Sequence, residues 1–157
     1  MYYPFLLLLV VTYCCGHSVH KSHVVAHAFR LTPNEDLYRT ILNYVEDNLL
    51  SAVTVSSAVG SLTSASIRFA NQALCTSLSG HFEIVSLMGT FGYNGSHVHI
   101  SLGDEKGDTI SGHLCDNGFN IVYTTVELVL LSYPSLVFTR QIDPETTYDE
   151  LVVFDKY

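Results

Sequence analysis

Basic residues are scarce in this sequence: seven Lys and Arg stand against fifteen Asp and Glu, for a formal charge of -8. No two of them adjoin, and Arg30, Arg39, Arg68 and Arg140 are scattered singly. An acidic surface repels a phosphate backbone unless a local basic patch overrides the net field. The sequence has no such patch, so direct nucleic-acid binding is disfavoured. CxxC is also missing. The four cysteines, Cys14, Cys15, Cys75 and Cys115, therefore do not suggest a thiolate zinc site. GxSxG, P-loop and GxGxxG motifs are absent, and no Ser–His–Asp set can be defended from spacing, so no catalytic motif is found and the sequence leans away from an enzyme without settling it. There are no repeats, no low-complexity tract and no apolar run of the roughly 20 residues a spanning helix needs.

What is present fits a single globular domain. The chain has 157 residues, 48% of them hydrophobic and only 14% charged, enough to bury a core unaided. At the N-terminus Pro4 to Val11 is an apolar run of eight, followed by Cys14, Cys15 and Gly16. Residues 1–16 are expected to be a secretory signal peptide, cut before His17, or else an apolar extension packed on the domain. The protein is secreted under the first reading and cytoplasmic under the second. Secretion would also make Asn94, in Asn94-Gly95-Ser96, a glycosylation acceptor. Residues 17–23 are read as a solvated linker despite the helical spacing of His17, His20, His23 and His27. The domain proper spans 24–157. Cys75 and Cys115 could pair, but in a domain of this size two free core cysteines are the expectation.

Val24 to Leu31 predicts a strand. Thr32-Pro33-Asn34 predicts a turn, with Thr32 or Asn34 capping a helix that runs to Asn48 on the spacing of Leu37, Ile41, Tyr44 and Val45. Ala52 to Val59 predicts a strand broken at Gly60-Ser61, with a further strand from Ala65 to Ala70 and a loop or short helix over 71–80. From Phe82 onward strands follow one another with turns of a few residues. The fold class is α+β, a mainly antiparallel β-sheet with one main helix.

A candidate site follows from strand periodicity. His97-Val98-His99 places both imidazoles on one face of its strand. His97, His99 and Ser101 are polar on that face, with Val98, Ile100 and Leu102 apolar behind. The next strand divides likewise, with Thr109, Ser111 and His113 against Ile110, Gly112 and Leu114. If the hairpin is centred on Lys106, Gly103 faces Thr109 and His99 faces His113, close enough for two imidazoles to share one ion. A slip of one residue would pair polar with apolar throughout. His97, His99 and His113 are therefore candidate ligands of a divalent metal, zinc first, with iron, nickel or manganese less selectively. Glu83 and Glu127 interrupt apolar strands, and a buried ion pair with Arg68 is the expected way to satisfy them.

Several blocks carry a resemblance: HAFRLTPNEDL at 27–37, GSLTSASIR at 60–68, GHFEIVSLMGTF at 80–91, GSHVHISLGDEKGDTISGHL at 95–114 and YTTVELVL at 123–130. With them the chain resembles the PPC domain family of plants and prokaryotes over nearly everything after the N-terminal run. The resemblance implies an α+β fold and a homotrimer. Prokaryotic-type members carry histidines where His97, His99 and His113 fall here, and some hold a metal through them. Plant members carry Arg-Gly-Arg AT-hooks, which this chain lacks. The resemblance thus favours a metal-binding homotrimer of undefined ligand. The alternatives are a DNA- or protein-binding regulatory module and a metal-dependent hydrolase.

Overall fold

The computed structural model describes residues 18–157. The apolar run, its cleavage point and the Cys14-Cys15 pair lie outside them. No helix among the described residues is long and apolar enough to cross a membrane.

The chain forms eight strands and one helix: β1 (Val25–Leu31), α1 (Leu37–Asp47), β2 (Ala52–Arg68), β3 (Thr76–Gly92), β4 (Gly95–Gly103), β5 (Thr109–Leu114), β6 (Val122–Ser132), β7 (Leu136–Ile142) and β8 (Asp149–Asp155). The architecture is mainly antiparallel β-sheet with a single short helix. Six strands form one sheet in the order β1-β6-β2-β3-β4-β5, and β7 pairs with β8 as a separate hairpin. The main sheet also curls. Beyond the stretch of β2 that pairs with β6, Ile67 and Arg68 pair with Leu114 and His113 of β5.

Helix α1 buries Leu37, Tyr38, Ile41 and Val45. Full burial of such a side chain stabilises by about 1.5–3 kcal/mol, ample to hold an 11-residue helix that would be marginal alone. Its cap is neither Thr32 nor Asn34. Asp36 takes that place, accepting a hydrogen bond from the Arg39 amide at 2.8 Å. The Thr32 amide and hydroxyl instead donate to Glu35, and Asn34 adopts a left-handed φ of 73° in the preceding turn.

The predicted break at Gly60-Ser61 does not occur, because β2 runs unbroken for 17 residues. Gly60 marks a close approach: a Cβ there would lie 2.0 Å from the Thr125 carbonyl oxygen of the neighbouring strand. Register shifts near Val55, Gly60 and Leu62 bend the strand, as bulges do. That bend lets one strand serve β6, β3 and β5. Strand β3 also begins earlier than expected, at Thr76, and takes up much of the predicted loop.

The core lies between α1 and the concave face of the curled sheet, where Phe91, Leu62, Ile67, Ile100 and Leu102 are all at most 2% exposed. A smaller cluster of Ala52, Leu136 and Phe138 seats the β7–β8 hairpin against the end of β2. The segment before β1, expected to be a solvated linker, is non-regular but tied down. His20 lies 3.2 Å from Asp155, and the Ser135 amide donates to the Ser22 hydroxyl. His27 bonds Tyr44 and Ser132 at 2.9 and 2.8 Å, an ordinary satisfied histidine.

The expectation of two free core cysteines is overturned. Cys75 and Cys115 form a disulfide with an S–S distance of 2.04 Å. The curl of the sheet explains it, since β5 ends beside the loop that joins β2 to β3. A sequence separation of 40 hides that proximity.

Candidate metal centre

The hairpin of β4 and β5 has the register that alternating polarity predicts: Gly103 faces Thr109, Ser101 faces Ser111 and His99 faces His113. Val98, Ile100 and Leu102 point into the core and are at most 3% exposed. The three histidines consequently stand on the outer face of the sheet, His97 and His99 exposed and His113 half-buried.

Their nitrogens converge. His97 Nε2 lies 3.1 Å from His99 Nε2, and each of these lies 3.2 Å from His113 Nδ1. The rings of His97 and His113 are nearly parallel, while that of His99 stands edge-on to both. A metal with bonds of about 2.0–2.1 Å at tetrahedral angles sets its ligand nitrogens about 3.3 Å apart. The observed triangle is nearly equilateral and close to that edge length. Three lone pairs so close repel one another unless a cation or protons lie between them. Among the described residues, these three side chains form the group of His, Cys, Asp and Glu able to hold a metal ion.

Two features lift His113 into place. Gly112 lies where β5 closes on β2, and a Cβ there would fall 2.6 Å from Ile67 Cγ2 and 2.7 Å from the Arg68 carbonyl oxygen. Beyond β5 the chain is locked by Asn120, which is fully buried. Its side chain accepts from the Ser66 amide at 3.0 Å and donates to the Cys115 carbonyl at 2.8 Å. With the disulfide, this network fixes the end of β5.

Burial and nearby positive charge favour the neutral form at two of the three histidines. Burial pushes His97 below the ordinary imidazole value; His99 and Arg140 act the same way, and Glu150 opposes them. Burial also lowers His113, followed by Arg68 and the other two histidines. Neutral imidazole is the form that ligates.

The expected buried ion pair does not form. Glu83 and Glu127 are both exposed. They project outward between buried neighbours, Glu83 across from Ser61 and Gly103, Glu127 across from Arg30 and Val59. That outer face is uncovered in the single chain, so the carboxylates stay in water and need no buried partner. Arg68 stands instead across from His113, with Nη1 donating to the Gln72 carbonyl at 3.2 Å. Asn94 is exposed, and its amide forms a reciprocal pair with the Arg140 backbone at 2.7 and 2.9 Å. Sequence reasoning missed Arg140 itself. It reaches from β7 to donate to the Thr90 hydroxyl at 2.5 Å, and Thr90 faces His97. That contact spans 50 residues and leaves no local signal.

A curled antiparallel sheet whose outer face gathers three histidines defines a small β-domain with a candidate metal centre. The chain belongs to the Plants and Prokaryotes Conserved (PCC) domain family, whose profile matches residues 20–134. It is 39% identical over 125 residues to the bifunctional protein GlmU of Synechococcus sp. (strain JA-2-3B'a(2-13)). The match covers 80% of this chain but only 20% of that protein, so the chain spans about a fifth of its relative. Among solved structures, a hypothetical protein from Salmonella cholerae-suis is 35% identical with a TM-score of 0.85, over 88% of this chain and 99% of that one. A protein from Archaeoglobus fulgidus, described as metal-containing, is 26% identical with a TM-score of 0.75, over 86% and 99% of the two chains. A candidate DNA-binding protein from Bacteroides thetaiotaomicron matches with a TM-score of 0.71 over 81% and 91%. At 15% identity that match shows the fold alone.

Proposed function

We propose that this chain is a metal-binding module. His97 and His99 act through Nε2 and His113 through Nδ1, together holding one divalent ion per subunit, with zinc the first candidate. The observation that carries this reading is the nitrogen triangle of 3.1–3.2 Å edges on a rigid hairpin. The description of the Archaeoglobus relative as metal-containing supports it. Zinc bound there would supply a Lewis-acidic centre with a fourth position open to an external ligand. The chain's own part is to hold three imidazole donors in place, through the β4–β5 register, Gly112 and the Asn120 network.

We further propose that the subunit works as a homotrimer, as the family resemblance implies. The uncovered outer face supports assembly, since Val59, Val85 and Met88 are each more than 60% exposed on it and Met88 lies directly across from His99.

Metal analysis of protein expressed in zinc-supplemented medium tests the first proposal. One metal per subunit is expected, and His99→Ala or His113→Ala should weaken binding by more than about 100-fold, beyond what loss of an outer-shell partner costs. Protein that stays metal-free after supplementation and takes up none on titration would overturn it.

A further inference from the structure

Two arginines flank the histidines, and neither is held in a direct ion pair. Arg68 stands across from His113 where β5 closes on β2. Arg140 comes from the opposite side, on the β7–β8 hairpin, and holds Thr90, which stands across from His97. Among the described residues Arg39 pairs with Asp116 and His20 lies 3.2 Å from Asp155, so neither guanidinium has a carboxylate at salt-bridge distance. Arg68 reaches a backbone carbonyl and Arg140 a hydroxyl. Arg140 is firmly placed. The stem of Arg140 lies over Gly95, where a Cβ would come 3.2 Å from its Cγ, and its backbone is clamped by Asn94.

The surface around the histidines matches this division. A depression of about 540 Å³ is lined by His97, His99, Arg140 and Glu150. A second, of about 290 Å³, is lined by His97, His113, Arg68 and the disulfide. His97 belongs to both, so each depression offers one guanidinium beside the triad. Asp116 also borders the second but is paired with Arg39 at 2.8 Å. In a chain with seven basic and fifteen acidic residues, two unpaired arginines beside three histidines concentrate positive charge at one place. A divalent ion on neutral imidazoles would raise that charge further. The arrangement is electrostatically unfavourable unless an anion shares the site.

We propose that the site takes a small oxyanion, a carboxylate or a phosphate, with one oxygen on the open metal position and its remaining charge in the field of Arg68 on one side and Arg140 on the other. This rests on the metal-binding reading. Guanidinium groups suit the role because their planar donors match carboxylate and phosphate oxygens in pairs. Asp149 and Glu150 both act on Arg140 from its own hairpin, and Glu150 is the competitor that lines the site. It lines the larger depression, and Oε1 accepts a hydrogen bond from the Thr146 hydroxyl at 3.0 Å, which turns the carboxylate to its own hairpin.

The test uses the whole chain loaded with Co²⁺, whose visible absorption reports its ligands, titrated with inorganic phosphate, acetate or chloride at matched ionic strength. Phosphate or acetate should shift the spectrum saturably and chloride should not; the stronger of the two titrations identifies which oxyanion class the site takes. Arg68→Gln and Arg140→Gln should each weaken the oxyanion by about tenfold or more, the loss of one charge-assisted pair. Cobalt itself should bind as well as before or better, because a neighbouring positive charge is gone. A purely structural role would weaken metal and anion together, and that result overturns the proposal. Cobalt binding with no response to either oxyanion overturns it as well and leaves the metal reading intact. A response that emerges only in Glu150→Gln makes Glu150 the internal ligand and also overturns it. A wild-type protein that takes up no cobalt removes the metal reading, and this proposal with it.

Discussion

At the scale of single residues, the protonation of two histidines links the site to pH. Burial first, and neighbouring positive charge after it, hold His97 and His113 below the ordinary imidazole value. The unfolded chain takes up these protons near the ordinary value of about 6.5, before the folded chain does. Their contribution to the stability of the metal-free protein is therefore complete above that value. It declines as pH falls from about 6.5 through the lower folded values. A Tm that is steady between pH 8 and 7 and drops below about 6.5 is expected, with the drop reduced in a His97→Gln, His113→Gln double variant. The metal-loaded protein should fall more steeply, since each ligand must shed its proton to bind. A metal-free protein that grows more stable on acidification through this window would contradict the placement of these two side chains.

The triad was legible at this scale because a period of two, read along two adjacent segments, fixes both face and register. His97, His99 and His113 needed no knowledge of distant residues. The acidic residues did. Glu83 and Glu127 look costly only if both faces of the sheet are covered, and local sequence does not say that the outer face of a single subunit is open. Arg68 was singled out as their partner, but its neighbour is His113 rather than a carboxylate, because β5 reaches around to β2.

At the scale of elements, glycine was the residue type most easily misread. Gly60 looked like a strand breaker, yet it lies within β2 because the neighbouring backbone leaves no room for a Cβ. Gly112 looked like an indifferent position on the apolar side of its strand, yet it sets how closely β5 approaches β2. Gly112→Ala should push the two strands apart, cost about 1–3 kcal/mol as other overpacked sites do, and lower metal affinity about tenfold by withdrawing His113. Gly103→Ala is the control. It lies on the adjacent strand, and its Cβ would meet only Val85 at an ordinary 3.4 Å. Denaturant unfolding and zinc titration of both variants decide the matter. If Gly112→Ala binds zinc as the wild type does, the strand closure does not position the ligand. Sequence could not reveal this, nor the Cys75–Cys115 disulfide, because both depend on the curl that unites the first and last strands of the β2–β5 set.

At the scale of the whole molecule, net charge and the proposed trimer make opposed demands on salt. Each subunit carries a formal -8, so assembly must bring like-charged bodies together. Contact between apolar patches such as Val59, Val85 and Met88 would have to outweigh that repulsion. Salt screens the repulsion over about 8 Å at physiological ionic strength. Binding to duplex DNA behaves the other way, weakening steeply as salt rises, because it depends on releasing counterions to Lys and Arg. Light scattering from 50 to 500 mM salt should give three times the 17.4 kDa subunit mass, undiminished or increasing with salt. Mobility shift with duplex DNA should be absent at physiological salt, since two arginines beside the histidines are too few to outweigh a net charge of -8. A mass of one subunit at every salt concentration would sink the trimer. A DNA complex that survives physiological salt would mean that assembly adds the positive charge of several subunits together, with Arg68 and Arg140 the first residues to substitute.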